Sequence, residues 1–306
     1  MKLVVKREGQ LLEYLYEVVD MPKKRIKQYL NHGSIFVNNN KVRKFNYKLV
    51  PGMNIIIDTD GKNKKTLPFD ILFEDEHIIV VNKPSGLLTV ATAKEKEKTL
   101  YHIVREYLVS KNKFSKVFIV HRLDKDTSGV VILAKDIKTK KQLQENWDEY
   151  VSLREYVAVL NGHMSKKSDR IVQNLKETKT NLVYVGRGND GKEAITNYKV
   201  IKESKNYSLV EINLETGRKN QIRVAFSSHK APILGDKKYG NKKDSSSRLY
   251  LHANRLKIYY PVIKKDILFE VQTPIEFKKI INNDRWYYEK NWNYYCYFTS
   301  VFLYII

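Results

Sequence analysis

The sequence predicts an α+β fold in which a small α+β module precedes a larger domain with a mostly antiparallel sheet. Short β-like runs recur from Pro68 onward, and few long helical patterns interrupt them. The first 58 residues instead combine two helical patterns with short strands. The length of 306 residues also exceeds one typical core and suggests two units.

Residues 1–58 are expected to form the small module. Residues 11–19 have the pattern of a first helix. A second helix begins near Met21-Pro22 and ends at Gly33, because proline suits a first turn and glycine suits a helix end. Strands are predicted at residues 34–37 and 54–58.

The second helix of the module carries a basic surface. Ile26, Tyr29 and Leu30 share its apolar face. Its remaining surface carries four cations, Lys23, Lys24, Arg25 and Lys27. Such a run is often only a solvated face, but here no acids lie at helical spacing to compensate it. We therefore predict that these four cations contact phosphate groups of a polyanion.

The larger domain is assigned to residues 69–288, after a polar linker at 59–68. Eight short runs have the pattern of strands: 78–81, 117–120, 130–133, 156–160, 182–185, 195–200, 209–214 and 267–271. A helix is predicted at residues 100–109. Asp136 is expected to cap another helix that carries Ile137, Leu143 and Trp147.

The local structure of two short segments of this domain must be inferred from their sequence patterns. Residues 186–191 match the dinucleotide-binding pattern GxGxxG, but residues 194–200 alternate like a strand where that pattern requires a helix. We therefore predict a hairpin turn at 186–191. Residues 221–224 alternate as well, and we predict a strand in which Arg223 faces away from Ile222 and Val224.

The charge balance favours a polyanion as partner. The chain has 56 Lys and Arg residues against 34 Asp and Glu residues, a formal net charge of +22. Nucleic acid satisfies such a surplus, and so does an anionic membrane. Hydrophobic residues make up 42% of the chain, which excludes global disorder.

Cysteine and histidine usage argue against disulfides and metal sites. The single cysteine, Cys296, excludes an internal disulfide and a multi-thiolate zinc site, and it fits a reducing, cytoplasmic compartment. The seven histidines lack HExxH spacing, so we expect no metal.

Neither end of the chain indicates a membrane protein. Charges interrupt the apolar residues at 1–8, so no signal peptide is visible. The C-terminal tail, residues 289–306, ends in an apolar segment at 292–306. That segment has polar interruptions and falls short of the ~20 apolar residues that span a bilayer. We interpret the tail as docked or frayed rather than as a membrane anchor.

The strongest chemical signal is the segment His121-Arg122-Leu123-Asp124-Lys125-Asp126-Thr127-Ser128-Gly129. It lies between two predicted strands and is rich in turn-forming residues. An ordinary hairpin loop has the same composition. Loops held by a rigid sheet are nevertheless where functional residues concentrate.

Four segments, in order along the chain, resemble the motifs of the RluA-type pseudouridine synthases. They are Val80 to Leu87, His121 to Lys135, Arg154 to Gly162, and Glu215 to Arg223 followed by Gly235 to Gly240. The resemblance extends over about residues 69 to 275 and implies the fold of that family. Residues 22–27, 32–38 and 50–53 resemble the S-four RNA-binding domain, which is named after a ribosomal protein.

The family resemblance implies an isomerase that converts uridine to pseudouridine in structured RNA and needs no cofactor. It assigns Asp124 as the catalytic carboxylate, places Tyr156 against the target base, and sets Arg223 beside Asp124 as a charge partner. A base buried in a helix is out of reach, so the resemblance also implies base flipping, with Arg122 filling the gap. The carboxylate could attack the anomeric carbon, add to the base or remove a sugar proton, and the residues do not choose among these routes.

The pair Lys219-Asn220 departs from the family pattern, which usually has Thr-His there. Asparagine keeps hydrogen-bonding capacity but does not titrate near neutral pH. A local packing contact or RNA contact is therefore the feature that this departure affects.

The resemblance to module-bearing family members implies ribosomal RNA as the partner, of the large subunit, with tRNA as an alternative. We expect a monomer that does not bind membranes. The competing hypothesis is a non-catalytic RNA-binding or ribosome-assembly protein on the same fold, because a fold alone does not settle function. The joint presence of Asp124, Tyr156 and Arg223 favours the enzyme.

Overall fold

The computed structural model of the chain describes residues 1–38, 40–58, 67–93, 95–188, 190–241, 244–283 and 304–305. The chain divides into two compact units, Met1–Leu67 and Pro68–Ile306. Most of the expected linker at 59–68 and most of the expected tail at 289–306 lie outside the described residues.

The first unit consists of two helices and a small antiparallel sheet. Its elements in chain order are β1 (Lys2–Val4), β2 (Gly9–Gln10), α1 (Leu11–Val18), α2 (Lys23–His32), β3 (Ile35–Val37), β4 (Asn40–Lys41), β5 (Lys48–Leu49) and β6 (Asn54–Ile57). Strands β1, β6, β3 and β4 lie side by side in that order, and β2 pairs with β5. Both predicted helices and both predicted strands of this unit are confirmed.

Helix α2 turns its apolar residues inward and leaves its cations outside. Ile26 and Leu30, one turn apart, are fully buried in the core of this unit. Gly33 ends the helix with a φ of 69°, and its N–H donates to the carbonyl oxygens of Leu30 and Tyr29. Pro22 is the residue just before the helix rather than a member of its first turn.

The second unit is built on one large sheet. Its elements in chain order are β7 (Ile71–Glu74), β8 (Ile78–Lys83), α3 (Leu100–Lys111), β9 (Phe118–Ile119), β10 (Ser128–Ala134), α4 (Ile137–Glu145), α5 (Trp147–Tyr150), β11 (Val151–Asn161), β12 (Ser168–Glu177), β13 (Val183–Val185), β14 (Lys192–Glu203), β15 (Tyr207–Leu214), α6 (Gln221–Ser228), β16 (Leu251–Tyr260), β17 (Lys265–Glu270), α7 (Ile275–Asn283) and β18 (Tyr304–Ile305).

The sheet of the second unit is antiparallel except at one junction. Its main path runs β13-β12-β14-β15-β11-β16-β10-β8-β7, while β9 pairs with β10, β17 with β16, and β18 with β17. Strand β10 runs parallel to β16 at Ser128 and Gly129. All seven residues of β10 are buried, so this strand is the central link between the two halves of the sheet. The mostly antiparallel α+β fold predicted from the sequence is confirmed.

All eight predicted strand segments overlap observed strands of the second unit, but the sequence patterns missed four others, β7, β12, β16 and β18. Strand β16 places polar residues inside the sheet. Asn254 Nδ2 donates to Glu155 Oε1 at 2.8 Å, and Arg255 Nη1 donates to Glu155 Oε2 at 3.1 Å. Because these partners are about a hundred residues away in sequence, a local pattern does not reveal them.

The helix after Asp136 is confirmed, with one difference. Asp136 Oδ1 accepts a hydrogen bond from the Thr139 N–H at 2.8 Å, so it caps α4 as expected. Trp147 lies outside α4 and begins the separate short helix α5.

The prediction of a strand at residues 221–224 is wrong, since these residues are the first turn of α6. Ile222, Ala225 and Phe226 are buried in one core cluster at helical spacing. Val224 packs in a different cluster, so Ile222 and Val224 do not share a face. Four alternating residues are too few to separate a strand from a helix.

The hairpin predicted at residues 186–191 is also wrong. A strand follows this segment, as expected, but β13 and β14 do not pair with each other. Strand β12 lies between them, so the segment crosses the end of β12 instead of closing a hairpin. A local glycine pattern indicates a turn but not which strands the turn joins.

Gly129 is needed where β10 meets β16, and Gly129→Ala is expected to destabilise the second unit. Its φ is +121°, and an added Cβ would lie 2.1 Å from the Ala253 carbonyl oxygen. Backbone strain and this clash together should lower the free energy of unfolding by at least about 3 kcal/mol, measured by urea unfolding.

Gly86→Ala is the matched control for Gly129→Ala. The φ of Gly86 is also positive, at +84°, but its added Cβ would meet no atom within 4 Å. The expected loss is therefore only the backbone strain, about 1 kcal/mol. Equal losses in the two variants would contradict a clash at Ala253.

Candidate active site

A cavity of about 380 Å³ lies where the loop before β10, strand β11 and the start of α6 meet. Asp124, Tyr156 and Arg223 all line it, together with Arg122. The structure thus brings the three residues predicted for catalysis into one cavity, although they lie on three different elements. Arg122 is exposed at the same place, while the cations of α2 belong to the other unit.

The loop that carries Asp124 is held through its backbone. Thr89 Oγ1 donates to the Leu123 carbonyl oxygen at 2.7 Å, and Lys83 Nζ donates to the Lys125 carbonyl oxygen at 3.0 Å. The residues on both sides of Asp124 are therefore fixed by side chains. A carboxylate fixed in this way keeps its position while a substrate binds.

Lys83 is fully buried and acts as a hub for these contacts. Its Nζ also donates to the carbonyl oxygens of Pro84 at 3.0 Å and Leu87 at 2.8 Å. Burial lowers the pKa of Lys83 to about 7, although the charges of Asp126 and Asp124 act in the opposite direction. In the sequence, Lys83 is distinguished only as a member of the segment Val80 to Leu87.

His121 fixes the start of the same loop. Its Nε2 accepts a hydrogen bond from the Ile132 N–H at 3.1 Å, and its ring lies 4.7 Å from the Trp147 ring. Burial lowers the pKa of His121 to about 4, and the nearby charge of Arg154 adds to this effect. His121 is therefore a neutral acceptor at physiological pH, which its place in the sequence did not indicate.

Arg223 reaches Asp124 but pairs more closely with Asp236. Its Nη1 lies 3.5 Å from Asp124 Oδ2, while Nε and Nη2 donate to the two Asp236 carboxylate oxygens at 2.8 and 2.7 Å. Burial alone would lower the pKa of Arg223, but the hydrogen bonds and charge of Asp236 outweigh it and raise that pKa. Arg223 therefore stays cationic, and a second carboxylate holds most of its hydrogen-bonding capacity.

Tyr156 presents a neutral phenol to the cavity. It lies on β11, where it pairs in register with Ile212 of β15 and Ala253 of β16. Burial raises the pKa of Tyr156 to about 12, and the charge of Asp124 acts in the same direction while Arg154 opposes both. At neutral pH the hydroxyl keeps its proton and can still donate and accept hydrogen bonds.

The departure at Lys219-Asn220 affects the wall of the cavity next to Arg223. Asn220 has a φ of 54°, a left-handed conformation that asparagine tolerates better than most residues. Its Oδ1 accepts from Arg223 Nη1 at 3.3 Å, and its Nδ2 donates to the Tyr239 hydroxyl at 3.0 Å. Lys219 Nζ donates to Asn181 Oδ1 at 2.8 Å and pairs with Glu177.

Two further structural findings concern the described residues only. Within them, no three His, Cys, Asp or Glu side chains converge as a metal site requires. None of the helices in the same residues combines the length and the apolar character needed to cross a bilayer.

Comparisons with known proteins agree with one family. The model of that family, described as RNA pseudouridylate synthase, matches residues 77–228. The uncharacterized RNA pseudouridine synthase YhcT of Bacillus subtilis is 30% identical in an alignment of length 283 that covers 90% of this chain and 93% of that protein. Ribosomal large subunit pseudouridine synthase D of Yersinia pestis is 29% identical in an alignment of length 282 that covers 86% of each protein.

One solved structure shows that the fold is shared as well. The structure of human RNA pseudouridylate synthase domain containing 4 superposes with a TM-score of 0.56 at 24% sequence identity. The superposition covers 68% of this chain and 90% of the human chain.

Proposed function

This chain belongs to the RNA pseudouridine synthase family, and from that premise we propose that Asp124 is the carboxylate with which it isomerises uridine in RNA to pseudouridine. The observation that carries the proposal is the shared cavity of Asp124, Tyr156 and Arg223. The reaction breaks the bond between nitrogen and the ribose, turns the base, and rejoins it through carbon 5. A carboxylate with a cation 3.5 Å away supplies the ionised group that this chemistry needs.

The other cavity residues take roles that follow from their chemistry. Arg223 is the cation next to Asp124 and orients it, since a guanidinium stays protonated and donates in fixed directions. Tyr156 packs against the target base, and its hydroxyl takes part in removing the last proton from carbon 5. Arg122 is exposed at the rim and fills the space that the flipped uridine leaves.

The substrate that we propose is ribosomal RNA of the large subunit, modified in the cytoplasm by a monomeric enzyme. One relative is named as a large-subunit enzyme. The net charge of +22 fits a structured polyanion, and the single cysteine fits a reducing compartment. Residues 1–58 supply an S-four-like module that binds this RNA through Lys23, Lys24, Arg25 and Lys27.

Chemical mapping of pseudouridine tests the substrate assignment. Total RNA is compared between cells with the gene, cells without it, and cells complemented with the Asp124→Asn variant. We expect one or a few positions of large-subunit RNA to lose the modification in the last two samples. A loss confined to tRNA would replace the substrate, and unchanged maps in all three samples would reject the function in those cells.

The basic surface of α2 is expected to add affinity without taking part in chemistry. All four cations are exposed, and no carboxylate of the described residues lies within ion-pair distance of them. Changing Lys23, Lys24 and Lys27 together to Ala should weaken RNA binding. It should also reduce the slope of log Kd against log salt by about 2 to 3, since each phosphate contact contributes close to one.

A matched triple variant separates phosphate contacts from net charge. Lys138, Lys140 and Lys141 lie on α4 of the other unit, and their change to Ala removes the same three charges. The kcat for bound RNA should stay near the wild-type value in both triple variants. Equal changes in slope would show that overall charge, and not α2, determines the salt dependence.

A further inference from the structure

Asp236 is a buried carboxylate that meets the cavity through Arg223. It follows α6 in the chain, and its side chain is fully buried. Asp236 itself does not line the cavity, whereas Arg223 does. Burial acts to raise the pKa of Asp236, but the hydrogen bonds and charge of Arg223 outweigh it and hold that pKa below its usual range. The group is therefore ionised at neutral pH.

Arg223 divides its hydrogen bonds unequally between its two carboxylate neighbours. One edge of the guanidinium, Nε and Nη2, lies against both oxygens of Asp236 at 2.8 and 2.7 Å. Only Nη1 is left for the cavity, 3.5 Å from Asp124 Oδ2 and 3.3 Å from Asn220 Oδ1. A planar group held along one edge has little freedom to rotate, so the contact with Asp236 sets the direction of Nη1.

The turn that carries Asp236 is itself well fixed. Asp236 Oδ1 also accepts the backbone N–H groups of Lys238 and Tyr239, each at 2.9 Å. The N–H of Gly240 donates to the Asp236 carbonyl oxygen at 2.9 Å. The Tyr239 ring centroid lies 5.1 Å from Arg223 Cζ, so the same turn contacts the guanidinium a second time.

We propose that Asp236 is a positioning residue for pseudouridine formation, which aims Arg223 at Asp124 and balances its charge. Asp236 and Arg223 together are neutral, so Asp124 faces a cation whose charge is already compensated. Asp124 is thereby oriented through one longer contact and stays free to react. This inference rests on the proposed role of Asp124.

Other ionisable groups surround Asp124, Arg223 and Asp236. Those that line the same cavity are Tyr156, Arg122, Arg218 and Lys219. Lys83 contacts the loop next to Asp124, and the Tyr239 ring borders Arg223. The charges of Asp126 and Arg248 act on Lys83. A substitution at Asp236 removes none of these groups, so they form a constant background in the test.

The test is the pH dependence of kcat/KM in Asp236→Asn. Loss of the negative charge leaves Arg223 uncompensated, which favours the ionised form of Asp124. The acid limb of the pH profile is the range in which kcat/KM rises with pH. It should therefore move to lower pH by about one unit, opposite to the shift expected when Arg223 is removed. The plateau of kcat should fall about 10- to 100-fold because Nη1 is no longer aimed, with KM nearly unchanged.

Two controls separate this role from a general structural one. Asp244 accepts the N–H groups of Gly235 and Ser246 at 2.5 and 2.8 Å and does not contact Arg223. Asp244→Asn should lower stability and leave the acid limb in place. In an Arg223→Gln background, Asp236→Asn should produce no further shift, because its effect passes through Arg223.

Asp236→Glu serves as a second variant if Asp236→Asn folds poorly. Glutamate keeps the negative charge but displaces the carboxylate from its two-point contact with Arg223. The value of kcat should therefore fall, while the acid limb of the pH profile stays where it is. The proposal is overturned by an acid limb of Asp236→Asn at or above the wild-type position, by an equal shift in the Arg223→Gln background, or by wild-type kcat in Asp236→Glu. An active Asp124→Asn enzyme would instead reject the catalytic role proposed for Asp124, on which this inference rests.

Discussion

Replacing Asp124 by asparagine is expected to abolish pseudouridine formation and to leave RNA binding nearly unchanged. Asparagine keeps the shape of the side chain and removes the charge that the reaction requires. The loop is held through the backbone at Leu123 and Lys125, so the fold should tolerate the change. The expected loss in kcat is at least about 10³-fold, the size typical for removal of a central catalytic group.

Two assays on the same RNA test the role of Asp124. Release of tritium from carbon 5 of labelled uridine follows the chemistry, because rejoining at carbon 5 displaces that hydrogen. Filter binding gives the Kd. Asp126→Asn is the matched control, since Asp126 lies two residues away and is exposed. Near-wild-type turnover by Asp124→Asn would exclude Asp124 as the catalytic carboxylate.

The Arg223→Ala variant is expected to change both activity and stability. Without the cation, the neutral carboxylic acid form of Asp124 becomes more favourable. The acid limb of the activity profile should therefore move to higher pH by about one unit. The value of kcat/KM at neutral pH should fall about 10²-fold, and Arg223→Lys should recover part of it, because lysine keeps the charge without the fork.

The stability effect of Arg223→Ala comes from Asp236 rather than from Asp124. Asp236 keeps a fully buried carboxylate and loses its bidentate partner. A buried charge without its partner should lower the free energy of unfolding by about 3–5 kcal/mol, measured by urea unfolding at neutral pH. Because Arg223 lowers the pKa of Asp236, the stability that the pair provides is present above the usual aspartate range. It is lost as pH falls through the folded-state pKa, so the difference between the proteins should shrink in acid.

Arg170→Ala provides a matched comparison for stability. Arg170 also forms a two-point contact with a carboxylate, at 3.0 and 2.9 Å from Glu215, but both side chains are about half exposed. Water already solvates both groups, so the loss should be much smaller than for Arg223→Ala. A similar loss of unfolding free energy in both variants would show that the burial of Asp236 does not determine the size of the effect.

The cavity could be largely anticipated from the sequence because its residues lie in recognisable segments. The loop at 121–129 stands between two β runs, and its composition is sufficient to predict a loop on a sheet. The order of the motifs pointed to Asp124, Tyr156 and Arg223 as neighbours. Their meeting in one cavity needs only that the chain adopt the fold these motifs accompany.

The strand predicted around Arg223 was wrong, because these residues form the start of a helix. Residues 221–224 alternate over too short a stretch to define a period, and burial of Ile222 and Phe226 on one side stabilises a helix. Arg223 approaches Asp124 from the first turn of that helix. The prediction of a nearby pair therefore did not depend on the predicted strand, because a distance between two side chains follows from the whole fold and not from either segment.

By itself, the sequence determined the mostly antiparallel α+β fold and the basic helix of the first unit, because these follow from local periodicity and capping. Its resemblance to the family motifs also indicated Asp124, Tyr156 and Arg223 as neighbours. Only the tertiary structure decided that β10 runs parallel to β16 and that β12 separates β13 from β14. It alone revealed the hub at Lys83, the neutral acceptor at His121 and the pairing of Arg223 with Asp236. Each of these is a contact between distant parts of the chain, and its energy comes from burial that no short segment produces alone.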